Sequence, residues 1–120
     1  MIPVLTPAEY AALDAASPEP LDVLVRRAGG AVARAAARLL GGTYGRRVVV
    51  VAGPGNNGAD GRVAAELLAR RGVRTRVVEI ADVTAPGARL EPSDLVIDAA
   101  FGTGLRYDVV FPDVDGAPVL

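Results

Sequence analysis

The chain has no cysteine, no histidine and no lysine, and all thirteen of its basic residues are arginine. Without cysteine it has neither disulfides nor thiolate chemistry. Without histidine, Ser-His-Asp and Cys-His catalysis and nearly all zinc sites are excluded. Without lysine, Schiff-base catalysis and a Walker A loop are excluded too. Proton transfer within the chain therefore falls to Asp, Glu or Tyr, and any metal would be a hard cation held by oxygens. Aromatics make up only 4% against 51% hydrophobic residues, so the core must come from Val, Leu, Ala and Ile. The net charge is −1 and no basic patch is interleaved with aromatics, which argues against a nucleic-acid partner. Met1 to Tyr10 has neither a charged n-region nor an apolar h-region, and no membrane-spanning run follows. The expectation is one soluble, cytoplasmic domain of 120 residues.

The most informative stretch is Arg46 to Gly72. Val48 to Ala52 is a continuous, largely β-branched apolar run, as in a strand buried on both faces. Gly53-Pro54-Gly55 ends it, and Asn56-Asn57-Gly58 carries the chain round to a helix expected from Asp60. Val63, Ala64, Leu67 and Leu68 form that helix's apolar face, and Gly72 suits its C′ position. A glycine-rich turn between strand and helix aims backbone N–H groups at one point beside the positive end of the helix dipole, a place that suits a phosphate. Gly53, Gly55 and Gly58 also match G-x-G-x-x-G, with Glu79 about twenty residues on, as a dinucleotide fingerprint would have. Pro54, which lacks an N–H, and the polar Asn56, Asn57 and Asp60 argue against that simpler reading.

Around this unit, Thr6-Pro7-Ala8-Glu9 is a capping box that predicts a helix to about Ala16, broken by Ser17-Pro18-Glu19-Pro20. A longer helix is predicted from Leu21 to Leu40, with Leu21, Leu24, Val25, Ala28, Val32, Ala35, Ala36 and Leu39 as its apolar stripe. Gly29-Gly30 within it marks either a weak spot or close approach of a neighbouring backbone. Val73 to Ile80 reads as a second strand, parallel to the first through a right-handed crossover. Ala81 to Pro92 reads as a loop. Asp94 to Ala100 reads as a third strand, with Asp98 at its carboxyl end, followed by a second glycine-rich turn, Phe101-Gly102-Thr103-Gly104. Ligands of open parallel sheets bind outside the carboxyl ends of the strands, so both turns serve one edge. The fold class is α/β, a Rossmann-like three-layer αβα arrangement with a mostly parallel sheet, incomplete. Asn57 and Asp98 could share a monovalent cation with backbone carbonyls; equally, Asp98 could cap nearby backbone N–H groups.

Gly53-Pro54-Gly55-Asn56-Asn57-Gly58-Ala59-Asp60-Gly61 resembles the G-x-G-N-N-G-G-D-G loop of the NAD(P)H-hydrate epimerase family (the YjeF N-terminal domain), with Ala59 in place of one glycine. Leu24 to Gly29 resembles the family's L-M-x-x-A-G segment, with Val25 in the methionine's place, which favours close packing at Gly29-Gly30. Asp98 to Arg106 resembles its D-x-x-F-G motif. The resemblance implies that Asn56, Asn57, Gly58, Ala59 and Asp60, with Gly102, Thr103, Gly104, Leu105, Arg106, Tyr107 and Asp108, line a hydrated nicotinamide dinucleotide, Tyr107 and Asp108 matching the pattern least well. It also implies that Asn57 and Asp98 bind potassium (K+). The implied activity is interconversion of the R and S epimers of hydrated NADH and NADPH at C6. The implied partners are a dehydratase, fused or separate, and a second copy in a homodimer. The family's catalytic carboxylate belongs to a D-[IV]-P-S-G motif expected just beyond Leu120, so the chain reads as truncated.

Ala117-Pro118-Val119-Leu120 begins what looks like another strand. With its neighbours absent, the strand at Leu95 to Ile97 is expected to have an unpaired side and exposed apolar faces. Two other classes of function stand beside the epimerase: a non-catalytic binding or scaffold module, and a dinucleotide-binding half-domain using Gly53, Gly55, Gly58 and Glu79.

Overall fold

The computed structural model describes residues 20–100 and 112–120. Helix α1 (Leu21–Leu40) leads to strand β1 (Arg47–Ala52), helix α2 (Asn56–Arg70), strand β2 (Arg74–Glu79), a 3-10 turn (Ile80–Asp82) and strand β3 (Leu95–Ala99). The sheet is parallel with order β2-β1-β3, so β1 lies at the centre. That is why Val48, Val49, Val50, Val51 and Ala52 are all buried. Burying each such valine stabilises the fold by about 1.5–3 kcal/mol. A small, incomplete Rossmann-like α/β arrangement results, as the alternation of strands and helices predicts.

The strands' two-residue period divides the core. Val48, Val50, Leu95, Ile97 and Ala99 face α1 and α2, packing with Ala33, Ala36, Ala64 and Leu68. Val49, Val51 and Val96 face the other way, against Ile80 and Leu90. Both described helices thus lie on one face. Among the described residues the opposite face is covered by irregular chain, with Val83, Val114 and Ala117 packed against it. No helix among the described residues is long and apolar enough to cross a membrane.

Several details depart from the sequence reading. Helix α2 begins at Asn56 rather than Asp60, because extended Gly55 (φ −89°, ψ −166°) already serves as the N-cap. The buried face of α1 is Gly29, Ala33, Ala36 and Leu40 with Ala35, while Leu21 and Leu39 are exposed. At Gly29 the two helices approach too closely for any side chain. A Cβ on Gly29 would lie 2.5 Å from Val63 Cγ1 and 2.9 Å from the Asp60 carbonyl oxygen, so of the two readings of Gly29-Gly30 close approach holds at Gly29. Gly30 would meet only the end of the Arg34 side chain.

The unpaired side expected for the third strand is also overturned. The Val96 amide donates to the Pro118 carbonyl at 2.9 Å, the Leu120 amide donates to Val96 at 2.8 Å, and the Asp98 amide donates to Leu120 at 3.1 Å. Residues 118–120 run parallel beside β3, which therefore has partners on both sides and buries Leu95, Val96 and Ile97. The loop after β2 is tied down as well, by the Leu90 amide to Asp113 and the Asp113 amide to Ala88. The helix expected at residues 6–16 lies outside the described residues.

Candidate functional site

The carboxyl ends of the three strands meet at the turn between β1 and α2. Gly53 is fixed on both sides: its N–H donates to the Ala99 carbonyl at 2.9 Å, and its own carbonyl accepts Arg62 Nη1 at 3.2 Å. A Cβ on Gly53 would collide with the Ala100 carbonyl, and one on Gly58 would collide with the Gly53 carbonyl. One turn further on, a Cβ on Gly61 would lie 2.5 Å from Ala99 Cβ and 3.0 Å from Val50 Cγ1. Close packing thus requires glycine at these three positions, and it brings the start of α2 down onto the ends of β1 and β3.

Asn56, Asn57, Gly58, Ala59 and Asp60 form the first turn of α2 and the start of the next. Asn56 is exposed, Asn57 and Ala59 are half-buried, and Gly58 and Asp60 are buried. The first turn contains no acidic residue, and Gly55 has no side chain with which to cap it. The first N–H groups of a helix lack intrahelical acceptors and carry the positive end of its dipole, so an anionic group is stabilised there.

Asp98 lies near the end of β3, paired in register with Val51. Strand alternation assigns it to the face opposite α2. Its carboxylate turns to the strand end, where Oδ1 accepts the Ala100 N–H at 3.1 Å. The capping role considered for Asp98 is therefore present. That bond engages one of the two carboxylate oxygens. Asn57 and Asp98 carry hard oxygen donors, the chemistry that an alkali cation takes. Among the described residues no three His, Cys, Asp or Glu side chains gather as a metal cluster.

The second predicted group, Gly102, Thr103, Gly104, Leu105, Arg106, Tyr107 and Asp108, lies outside the described residues. The structure adds a pair that the sequence reading did not connect. Arg62 Nη2 lies 2.6 Å and 2.8 Å from the two carboxylate oxygens of Glu79, at the end of β2. Adjacent parallel strands bring the end of β2 beside the β1–α2 turn, and the opposite charges at residues 62 and 79 were the available signal. Glu79, the candidate ribose-binding acid of a dinucleotide fingerprint, is thus engaged by an arginine of the same chain.

Comparison with known proteins gives a family match. The model of the YjeF-related protein N-terminus matches residues 21–89. Among curated relatives, the chain is similar to a protein of Neurospora crassa named NAD(P)H-hydrate epimerase, 36% identical over 77% of this chain and 48% of that protein. A protein of the same name from Ajellomyces capsulatus is 37% identical over 68% of this chain and 43% of its own length. A protein of Hyperthermus butylicus, named bifunctional NAD(P)H-hydrate repair enzyme Nnr, is 39% identical over 69% of this chain and 20% of its own length. The chain spans about half the length, or less, of the curated relatives it matches.

Proposed function

The chain belongs to the family of YjeF-related protein N-termini, and on that premise we propose that it binds hydrated NADH and NADPH and serves in interconverting their R and S epimers. The observation that carries this reading is the first turn of α2. It is seated on the ends of β1 and β3, and it presents Asn56 and Asn57 in place of the acidic side chains common at that position. The diphosphate of the substrate would be held by backbone N–H groups of this turn. Asn56 to Asp60 and Gly102 to Asp108 would orient the hydrated ring. Epimerisation requires that the C6 hydroxyl leave or the ring open, with help from the ring nitrogen, and that a proton be returned. The chain's part is to fix the ring and exclude other conformations while this happens.

Asn57 and Asp98 would hold a potassium ion with backbone carbonyls. When bound, it would supply a fixed positive charge beside the anionic substrate. Two relatives are named bifunctional repair enzymes, which supports a dehydratase as the partner activity, fused or separate. The plain dinucleotide reading is disfavoured by Glu79, whose carboxylate is occupied by Arg62.

The test is titration of isotope-labelled protein with hydrated NADH and, separately, with intact NADH, alongside chromatography of epimer exchange. Shifts at Asn56–Asp60 with the hydrate alone, together with exchange of epimers, are expected. Equal response to intact NADH, or shifts clustered elsewhere, would overturn the assignment. Selective binding without exchange would reduce the function to that of a binding module.

A further inference from the structure

We propose that Arg62 is a positioning residue, one that sets the β1–α2 turn by holding the Gly53 carbonyl while anchored on Glu79. Its consequence for substrate rests on the function proposed above; its effect on the turn does not. Gly53 is where the turn is fixed. Its N–H is tied to β3 through Ala99, and its carbonyl oxygen is the atom over which Gly58 closes. That carbonyl also accepts Arg62 Nη1, at 3.2 Å. The same guanidinium spans to β2, where Nη2 meets both oxygens of Glu79. One planar fork therefore links the turn to the neighbouring strand, which a lysine ammonium on its flexible stem would not do with the same geometry.

The side chains of Arg62 and Glu79 are 40% and 49% exposed. A pair this exposed contributes little to global stability. What it can do is restrict a local motion. Gly55, where a Cβ would meet nothing within 4 Å, leaves the turn a point of backbone freedom, and the carbonyl of Gly53 is held at a fixed orientation. With Arg62 removed, the Gly53–Pro54 peptide is free to tilt, and the first turn of α2 follows through Gly58. The N–H groups proposed to meet the diphosphate then lose their common aim.

The experiment compares Arg62→Ala, Glu79→Ala and the charge-swapped double variant Arg62→Glu/Glu79→Arg. The readouts are amide hydrogen exchange at Gly53 and at Ala59, whose N–H bonds the Gly55 carbonyl, and the urea midpoint. Arg62→Ala is expected to speed exchange at both amides by about two- to tenfold, the span of one hydrogen bond's net contribution, with the midpoint nearly unchanged. Glu79→Ala, which leaves the guanidinium in place without its anchor, should give a smaller increase. The double variant restores an ion pair but leaves residue 62 with no donor for Gly53, so fast exchange should persist. A merely structural surface pair would instead be rescued by the swap. Wild-type exchange in the double variant, or unchanged exchange in both single variants, overturns the proposal. Affinity for hydrated NADH is measured in parallel and should weaken by a similar factor in Arg62→Ala. If the wild-type protein itself fails to bind the hydrate, the proposed function fails, and the exchange data still decide the role of Arg62.

Discussion

Two adjacent glycines in α1 should respond to alanine with opposite signs. At Gly29 the new Cβ would lie 2.6 Å from Val63 Cβ and 2.9 Å from the Asp60 carbonyl oxygen. Carbon contacts settle at about 3.5–4.0 Å, so α1 and α2 would have to separate by roughly 1 Å. Neither obstacle can rotate away, since one is a β-branched stem and the other is backbone. Overpacking costs about 1–3 kcal/mol, and rigid neighbours put this site at the upper end, near ~3 kcal/mol. Helix propensity returns about 1 kcal/mol, leaving a net destabilisation of ~2 kcal/mol. At Gly30 the nearest atom is Arg34 Nη1 at 3.3 Å, the far end of a flexible side chain. Gly30→Ala should therefore stabilise by about 0.5–1 kcal/mol. Urea unfolding of both variants decides the matter: with a slope of about 1–3 kcal/mol/M, the two midpoints should differ by ~1 M or more on either side of wild type. Equal midpoints, or Gly29→Ala above wild type, would refute the close approach of α1 to α2. Because the Asp60 carbonyl is one of the obstacles, Gly29→Ala should also disturb the start of α2.

Asp98→Asn keeps an acceptor for the Ala100 N–H but removes the charge proposed to hold potassium. At potassium tenfold above its dissociation constant the wild-type protein should gain ~1.4 kcal/mol over choline; the variant should lose most of that gain and keep its stability in choline, which parallel thermal melts would show. Gly72 has φ +88°, and a Cβ there would lie 3.1 Å from Tyr44 Cδ2. Since Tyr44 is 92% exposed and can move aside, Gly72→Ala should cost only the left-handed backbone strain, about 1–2 kcal/mol by urea unfolding.

Much of this protein was legible in its sequence because the signals are local. The largely β-branched run Val48–Ala52, ended by glycine and proline, reads as a strand buried on both faces, and all five residues are buried in β1. Proline before Leu21 and glycine after Leu40 bound α1, where Gly41 takes the left-handed cap at φ +68°. The glycines between Gly53 and Gly61 marked the tight passage from β1 to α2, where a Cβ on Gly53, Gly58 or Gly61 would clash with neighbouring atoms. Tertiary structure decided the rest. The face of α1 that is buried was set by the fit against α2, where Gly29 allows a close approach that no side chain would, and a hydrophobic stripe cannot register that. Residues 118–120 found their place beside β3 through backbone hydrogen bonds, which carry no side-chain pattern. Arg62 and Glu79 meet only because parallel strands set the end of β2 next to the β1–α2 turn, bringing together charges 17 residues apart in sequence.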